Sequence, residues 1–596
     1  MAPNAHYAPP GGHNTASQLD VLIGKAAKRF QQGRHADTAI LCRKALKRAP
    51  DHPVALHLLG VSQLGADKPA DAVETLQRAH DIDPHNIEIQ TNLGAALRAA
   101  GKLLAAVETL RAATRAAPAF VPAWLNLGNV LSDLGESAQA QAAYDNVVML
   151  DPANVGARRQ LAVLLAADGN RADALTHLDA AAAAAPGDSQ VHNERGLALI
   201  EHGQPEKAVQ AFRTALLVAP DDPDTLGNLG NALCAVDDPG AALALYRRAL
   251  DADPDCPSTL ANLGHAQRQL GALDEAVDAY EQAMAISPDH REARFGRATC
   301  RLLRSDFAGG WDDYRFRQTM GDGGDTLAHA PLSPNLAGKR VLVLRDQGLG
   351  DELFFLRYLP RLAARGAEIT YRPDPRLSAM LARSGIAVAP EEATPDDYDL
   401  TVAVCDLPYL LADDDAPATP ETIALSPMAG CEDALRAELS SFGPPPYIGV
   451  TWRAGTLNRQ RYLFKETPLA RLATTLAPIE ATIVVLQRAP FAGEIDKFTG
   501  ALRREVLDFS ALNDRLEDML ALVGLLDDHV CVSNTNVHLA ATRGRACRVL
   551  VPYPPEFRWM ASGERSPWFP DMPVYRQQAD GDWGPAFAML ACDLAV

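Results

Sequence analysis

The sequence predicts an all-α superhelix of stacked helix pairs, followed by an α/β region built from two doubly wound halves. Three observations lead to this prediction. Proline and glycine recur at a constant step through the first half of the chain; short β-branched runs then alternate with helical stretches; and a Gly- and Pro-rich segment at 320–339 separates the two patterns.

The composition is that of a folded protein with several domains. The chain has 596 residues, too many for one core, of which 47% are hydrophobic and 22% charged. Its net charge of −19 disfavours non-specific binding to nucleic acid or to an anionic membrane. The apolar runs are too short for a membrane helix, and residues 1–16 lack the basic start and apolar core of a signal peptide. We therefore expect a cytoplasmic protein that begins with a flexible tail at 1–16 and has neither membrane insertion nor a nucleic-acid partner.

The nine cysteines are scattered, with no C-x-x-C pair and no spacing typical of a disulfide framework. This distribution predicts reduced thiols and no cysteine-based zinc site. No D-x-D motif accompanies a candidate nucleotide-binding strand either, so the sequence predicts no metal.

The first half keeps a period of 34 residues, in which small residues and prolines occupy fixed positions. The prolines stand at 50, 84, 118, 152, 186, 220, 254 and 288, the glycines at 60, 94, 128, 196, 230 and 264, and the alanines at 72, 106, 140, 174, 208, 242 and 276. Only Ala162 interrupts the glycines. Small residues allow two helices to approach closely, and a proline closes each unit because it cannot continue a helix.

This pattern resembles the tetratricopeptide repeat (TPR), with about eight units over 17–290. The resemblance implies helix pairs stacked into a right-handed superhelix, whose concave groove binds a peptide or protein. A purely architectural solenoid is the alternative.

An asparagine stands two residues before the glycine in four repeats: Asn92, Asn126, Asn228 and Asn262. An amide offers both a donor and an acceptor, so an aligned row can bind the backbone of an extended peptide. The pattern resembles the asparagine ladder of the TPR arm in eukaryotic O-GlcNAc transferases, although Leu58, Gln160 and Glu194 interrupt it. The alternative is that these asparagines bond within or between repeats.

A helical joint and linker are predicted at 291–339. Phe307, Trp311 and Tyr314 are spaced to form an aromatic face there, which would pack the last repeat against the α/β region.

The remaining chain alternates strands and helices, first over 340–440 and again over 441–596. The predicted strands are "RVLVLRD", "EITYRP", "IAVAPEE" and "DLTVAV" in the first series, then "YIGVTWRAG", "ATIVVLQR", "REVLDFS", "HVCVSNT" and "CRVLVPY" in the second. Helices are expected at 353–366, 376–384, 431–442, 467–477 and 515–526, and from "VHLAATRG". Two Rossmann-like halves in tandem predict a cleft, with ligands at the carboxyl ends of the strands.

The first candidate for chemistry is the turn "QGLGDE". Gly348 and Gly350 allow a ligand to approach closely, and Asp351 stands at a helix N-terminus, where it could act as a general base. The alternative is a carboxylate that only stabilises the start of the helix.

The second candidate is Arg453, at the end of the strand in "TWRAGTLNRQRYLFK". With Arg459, Arg461 and Lys465 nearby, it could neutralise a phosphate leaving group.

The third candidate is "VSNTNVHLAA", in which Ser533, Asn534, Thr535, Asn536 and His538 lead from a strand into a helix. These side chains could hold a phosphate at the helix N-terminus. The alternative is that they only cap the helix.

Taken together, the second half resembles the GT-B glycosyltransferase fold, and most closely the heptosyltransferase-like (family 9) domains that bacteria fuse behind TPR arrays. The motifs that resemble this family are the GLGD turn, "GVTWRAG", "VSNTNVHLAA", "PYPPEFRW" at 552–559 and "SPWFP" at 566–570.

The resemblance implies that Asp351 is the base. It also implies a donor site that includes Gly348, Gly350, Arg453, Asn534, Thr535, Asn536 and His538. The family wording is D-T-S-x-x-H, so Asn534 replaces an aspartate. That change favours a negatively charged donor sugar, and lost activity is the competing explanation.

The fusion of TPRs to such a domain is similar to the flagellin glycosyltransferases of bacteria. This resemblance implies inverting, metal-independent transfer of a nonulosonic acid, with pseudaminic acid expected, from a CMP-activated donor to Ser or Thr of flagellin held in the TPR groove. The alternatives are a TPR adaptor or flagellin chaperone with a degenerate GT-B domain, and a transferase acting on lipopolysaccharide or another glycan.

Overall fold

A computed structural model describes residues 18–317, 330–390, 392–412, 419–454 and 465–595. The chain divides into two compact units, Met1–Pro220 and Asp221–Val596. The tail predicted at 1–16 lies outside the described residues, as do 320–329 of the predicted linker.

The described part of the first unit consists of helices joined by short turns. They are α1 (Gln18–Gln31), α2 (His35–Leu46), α3 (Pro53–Leu64), α4 (Pro69–Ile82), α5 (Ile87–Ala99), α6 (Leu103–Ala116), α7 (Val121–Asp133), α8 (Ser137–Leu150), α9 (Val155–Ala167), α10 (Arg171–Ala184), α11 (Ser189–Glu201) and α12 (Pro205–Val218).

From Pro84 onward, the repeat proline follows the end of the second helix of each pair, as the sequence predicts, whereas α2 already ends at Leu46, before Pro50. Asp83, the C-cap of α4, precedes Pro84 and has non-helical backbone angles, with φ −129° and ψ 74°. Asp151, the C-cap of α8, precedes Pro152 in the same way. A residue before proline is kept out of the helical region, so the chain turns here.

The repeat glycine makes room for a large side chain sixteen residues later on the partner helix. A Cβ added to Gly94 would lie 2.4 Å from Cγ of Leu110, and one added to Gly128 would lie 2.6 Å from Cε1 of Tyr144. Both partner side chains are completely buried. Two helices therefore pack closely within each repeat because the glycine lacks a side chain.

The second unit begins with helices of the same kind. They are α13 (Pro223–Ala235), α14 (Pro239–Ala252), α15 (Pro257–Gln269), α16 (Leu273–Ile286), α17 (Arg291–Leu303) and α18 (Phe307–Tyr314). Gly230 faces Tyr246 and Gly264 faces Tyr280 with the same sixteen-residue offset.

A three-stranded parallel sheet follows, with strand order β2-β1-β3. Its strands are β1 (Arg340–Leu344), β2 (Glu368–Arg372) and β3 (Leu400–Ala403), accompanied by helices α19 (Leu349–Phe355), α20 (Leu359–Ala364), α21 (Ser378–Arg383) and α22 (Leu407–Leu410). The strand predicted at "IAVAPEE" is wrong, because among its described residues only Val388 forms a bridge, to Tyr371. The single helix predicted at 353–366 is also wrong. It is divided at Leu356–Tyr358, just before Pro360, which has no N–H to continue the bonding.

The last region contains a seven-stranded sheet, ordered β6-β5-β4-β7-β8-β10-β9. Its strands are β4 (Tyr447–Thr451), β5 (Thr482–Val485), β6 (Leu507–Asp508), β7 (Asp528–Val532), β8 (Arg548–Val551), β9 (Arg565–Ser566) and β10 (Phe569–Arg576). All neighbouring pairs are parallel except β9 with β10. Its helices are α23 (Cys431–Phe442), α24 (Leu469–Leu476), α25 (Glu494–Leu502), α26 (Leu516–Leu525), α27 (Thr535–Thr542) and α28 (Gly584–Leu594).

The aromatic face predicted at the joint lies in the core of the second unit. The ring of Trp311 lies 5.8 Å from that of Phe355, 5.7 Å from Phe557 and 5.8 Å from Trp568. Since Phe355 belongs to α19 and the other two follow β8, one side chain of α18 contacts the surroundings of both sheets.

Among the described residues, no helix combines the length and the hydropathy needed to cross a membrane.

Candidate functional site

The candidate site lies where the order of the seven-stranded sheet reverses. From β4 the chain moves outward to β5 and β6 on one side, and then returns to β7 and β8 on the other. In such sheets, ligands bind at the carboxyl ends of the two strands at this switch point. Here these ends carry Arg453, after β4, and Ser533 and Asn534, after β7.

Asn534 is the N-cap of α27. Its side-chain oxygen accepts a hydrogen bond of 3.2 Å from the N–H of Val537. The N–H groups of Thr535 and Asn536, in the first turn, have no acceptor within the helix, so they face outward from its N-terminus. Asn534 therefore performs the capping role that the sequence offered as the alternative, and it leaves an anion-binding helix end beside it.

The Gly-rich turn after β1 meets the start of α27. A Cβ added to Gly350 would lie 3.3 Å from Cδ2 of His538 and 3.7 Å from Oγ1 of Thr535. The structure thus brings together two predicted site segments that are about 185 residues apart in the sequence.

Asp351 has two partners at this meeting point. Its carboxylate accepts a hydrogen bond of 3.3 Å from the N–H of Gly348, which is the N-cap of α19. It also forms an ion pair with Arg558. Asp351 therefore stabilises the start of the helix. Its side chain is also accessible from solvent, because 32% of it remains exposed.

Glu556 is the centre of a buried charge cluster beside Asp351. Its carboxylate accepts hydrogen bonds from Ser533 and from Nε1 of Trp559, the latter at 3.0 Å, and pairs with Nζ of Lys465 at 2.5 Å. Burial alone would raise the pKa of Glu556, but Lys465 and Arg558 together lower it to about 2. Glu556 is therefore charged at neutral pH and fixes both cations at the edge of the site.

His538 is buried, and its Nδ1 atom has no hydrogen-bond partner in the described part of the chain. Its ring lies 6.0 Å from that of Phe354 and 5.6 Å from that of Phe569. Burial, and then the charge of Arg558, lower its pKa well below the usual value. The imidazole is therefore neutral, and it has a free nitrogen for a hydrogen bond to a ligand.

Arg453 does not extend from the strand end as a free cation. Its side chain is buried, and its Nη2 atom donates to a carboxylate oxygen of Glu494 and to the carbonyl of Ala489, both at 3.2 Å. The guanidinium also lies over the ring of Phe491. It therefore holds the segment after β5 in place. Arg459 and Arg461 lie outside the described residues.

Asn536 extends the polar network toward the neighbouring strand. Its amide donates to the side-chain oxygen of Asn513 at 3.2 Å, and Asn513 in turn donates to the carbonyls of Leu486 and Ser510.

Two neighbours of the Gly-rich turn are buried carboxylates, Glu352 and Asp346, with partners other than Arg558. Glu352 accepts hydrogen bonds from the hydroxyl of Tyr371 at 2.8 Å and the N–H of Asp374 at 3.0 Å, and burial raises its pKa to about 7. Asp346 pairs with Arg317 at 2.5 Å, and the same arginine pairs with Asp406 at the end of β3.

The four predicted ladder asparagines are all half-buried. Asn92 donates to Nε2 of His57 on the preceding repeat at 2.7 Å. Burial lowers the pKa of His57 to about 4, so its neutral ring can accept this bond. Within the described residues, the side chains of Asn126 and Asn262 have no hydrogen-bond partner, whereas Asn228 has one. Asn92 therefore bonds between two repeats, which is the alternative to peptide binding. The amides of Asn126 and Asn262 remain available for a hydrogen bond to a peptide.

Glu556 and Arg558 are site residues for which the sequence predicts no role. Both lie in "PYPPEFRW", a segment recognised only as a family motif. The sequence feature that could have identified them is a pair of opposite charges between aromatic residues. This composition favours a buried ion pair over a solvated loop.

Comparison with known proteins identifies the repeats. Tetratricopeptide-repeat family models match residues 29–91, 63–131, 131–195, 189–222 and 221–289. The helix pairs of the N-terminal half are therefore tetratricopeptide repeats, as predicted, and they indicate binding of a peptide or protein partner.

A curated relative covers part of the chain. Protein FlbA of Caulobacter vibrioides is 26% identical over 335 residues, which are 50% of this chain and 54% of the relative. The chain thus spans about half the length of the curated relative that it matches.

Solved structures resemble the repeats. The Cut9–Hcn1 hetero-tetramer of the APC/C is 20% identical, with 47% of this chain and 55% of that chain covered, at a TM-score of 0.34. TTC0263, a TPR protein of Thermus thermophilus, is 25% identical, with 30% and 99% covered, at a TM-score of 0.28.

Proposed function

We propose that the chain is a protein O-glycosyltransferase of the GT-B fold. It transfers a nonulosonic acid, pseudaminic acid, from a CMP-activated donor to Ser or Thr of flagellin held by the repeats, in one inverting displacement. One observation carries the proposal: the Gly-rich turn that bears the accessible carboxylate of Asp351 meets the first turn of α27, which follows a strand at the switch point of the seven-stranded sheet.

Asp351 is the base in this proposal. With a third of its side chain exposed, and with Arg558 and the N–H of Gly348 fixing its position, it can accept the proton of an acceptor hydroxyl. The sugar carbon then bonds to that oxygen while the bond to the donor phosphate breaks.

The departing nucleotide phosphate is stabilised by the first turn of α27 and by Lys465. The N–H groups of Thr535 and Asn536 are directed out of the helix. Lys465 Nζ, with a side chain 26% exposed, is held beside them through Glu556 and Ser533. Arg453 acts through Glu494 as a positioning residue for the loop after β5.

The acidic sugar is assigned through Asn534. An aspartate at the N-cap of α27 would place a negative charge beside the carboxylate of a nonulosonic acid, whereas asparagine caps the helix without that charge. The repeats supply the acceptor, with Asn126 and Asn262 offering amides to an extended backbone.

The test is the intact mass of flagellin from cells that carry the wild-type chain, Asp351→Asn or the matched control Asp433→Asn. Asp433 lies in the first turn of α23 and so shares the helix position of Asp351. We expect full modification with the wild-type chain and the control, and a loss of at least about 100-fold in transfer rate for Asp351→Asn. Equal masses with and without the chain would refute the proposal.

The donor assignment has its own test. Asn534→Asp keeps a good helix cap, so the variant should fold normally. It should lower transfer from a CMP-nonulosonic acid while leaving binding of CMP itself within a few-fold. Transfer that is unchanged or improved would contradict an acidic donor.

A second candidate is a non-catalytic TPR adaptor or flagellin chaperone with a degenerate GT-B domain. The supporting observation is that Asp351, Arg453 and Asn534 all make structural contacts, with Arg558, Glu494 and Val537 respectively. It predicts that Asp351→Asn leaves flagellin mass unchanged, while deletions in the repeats abolish capture of the partner.

A further inference from the structure

Three soft or borderline metal ligands converge inside the seven-stranded sheet, away from the candidate site. His529 and Cys531 lie on β7 two residues apart, so both side chains project from the same face of the strand. Cys547 immediately precedes β8, which pairs with β7 so that Cys531 lies opposite Val549. All three residues are buried.

Their ligand atoms have the separations of a metal site. Nδ1 of His529 lies 3.5 Å from Sγ of Cys547, and the three ligand atoms all lie within 4.8 Å of one another. In tetrahedral zinc coordination, the bond lengths place a nitrogen and a sulfur ligand about 3.6 Å apart, and two sulfurs about 3.8 Å apart. The three residues therefore need only small rotamer adjustments to bind one ion.

A fourth ligand can reach the same place. His529 and Cys547 line a cavity of about 350 Å³, whose other walls include Arg545 and Asp571. A cavity of this size and polarity admits water. In addition, Nε2 of His529 is buried without a hydrogen-bond partner in the described part of the chain, and metal-bound histidines use their second nitrogen to bond water or carbonyl oxygens.

We propose that His529, Cys531 and Cys547 bind one zinc ion, with a water from the cavity as fourth ligand. Two thiolates and a neutral imidazole balance the charge of a divalent ion, so the buried site has no net charge. The ion bridges β7 and the residue before β8 on the sheet face covered by α26 and α27, and the adjoining cavity lies at the C-terminal end of α27, whereas Asn534 caps its N-terminal end. Its role is to hold these strands together, and it is independent of the proposed transfer reaction.

The spacing in the sequence predicts no zinc site, because sixteen residues separate Cys531 from Cys547 and no C-x-x-C pair is present. Strand pairing brings these residues together after the chain has passed through α27.

The experiment measures the metal content of the full-length chain, purified without chelator or affinity tag. We expect one zinc per chain in the wild type, and a loss of roughly tenfold or more in zinc affinity for Cys531→Ser and for Cys547→Ser. The matched control is Cys592→Ser, which removes an exposed cysteine on α28 and should retain one zinc.

Cobalt substitution of the wild-type chain gives a readout that does not depend on whether the variants fold. Cobalt(II) bound by two thiolates in tetrahedral geometry should show sulfur-to-metal charge-transfer bands and intense visible bands. A wild-type chain with far less than one zinc, with no cobalt–thiolate bands, or with a Cys531–Cys547 disulfide in place of metal would overturn the proposal. Loss of zinc from Cys592→Ser alone, with zinc retained in Cys531→Ser and Cys547→Ser, would also overturn the proposal.

Discussion

Glu352, the neighbour of the proposed base, makes the second unit less stable as the pH rises. Its carboxylate is buried and accepts two hydrogen bonds, and burial raises its pKa from 4.5 to about 7. At about 1.4 kcal/mol per pKa unit, ionising this group in the folded state costs about 3 kcal/mol. The folded state holds the proton more tightly than the unfolded chain, so this stabilisation is complete below pH 4.5 and is lost as the pH rises through about 7.

The substitution Glu352→Gln removes this dependence. The amide oxygen can accept the same two bonds, from Tyr371 and Asp374, and it has no charge at any pH. Above about pH 8 we expect the variant to be more stable than the wild type by up to about 3 kcal/mol, which is a rise in Tm of about 4 °C for a unit of this size. Below about pH 4.5 the two should unfold at the same temperature.

The assay is differential scanning calorimetry of the full chain at both pH values, following the transition of the second unit. The control is Glu368→Gln, which makes the same change of carboxylate to amide at an exposed position on β2 of the same unit. An equal difference in stability between Glu352→Gln and the wild type at both pH values, or a less stable variant at high pH, would contradict a raised pKa for Glu352.

Two further predictions concern packing and buried charge. Gly94→Ala places a methyl group against Leu110 and should destabilise the first unit by about 1–3 kcal/mol. The control Gly187→Ala, with nothing within 4 Å of the added Cβ, should change the Tm of this unit little. Equal effects of the two substitutions would contradict close packing at Gly94. Arg317→Met leaves two carboxylates without their shared cation and should cost about 3–5 kcal/mol by chemical denaturation. Arg304→Met, which breaks an exposed pair, should cost less than about 1 kcal/mol, and similar losses for the two arginine variants would contradict a buried triad.

The repeats were predictable because their pattern is local. A proline that ends a helix and a glycine that admits a side chain sixteen residues later are both fixed by neighbours within one unit. The joint was predictable for a similar reason, since three aromatic residues at helical spacing indicate a buried face whatever covers it.

Strands β9 and β10 were not predicted, because β9 is only two residues long and β10 contains two prolines. Pro570 and Pro573 interrupt the β10 segment, and proline within a run argues against a strand except near an edge of the sheet. β10 is next to the edge strand β9, so it tolerates residues that a central strand would not.

The candidate site was only partly predictable because its partners are distant in sequence. Asp351 and Arg558 are 207 residues apart, and Arg453 and Glu494 are 41 apart. Sequence patterns identified the groups at the strand ends, but whether a cation there is free or already paired depends on how the segments pack.

The contacts of Trp311 have a mechanical consequence for the two sheets of the second unit. Its ring touches Phe355 beside the first sheet, and Phe557 and Trp568 beside the second. If one sheet rotates against the other, these rings must slide past a side chain that belongs to neither. Helix α18 therefore couples the surroundings of the two sheets through one buried ring, and any rotation between the sheets requires Trp311 to repack.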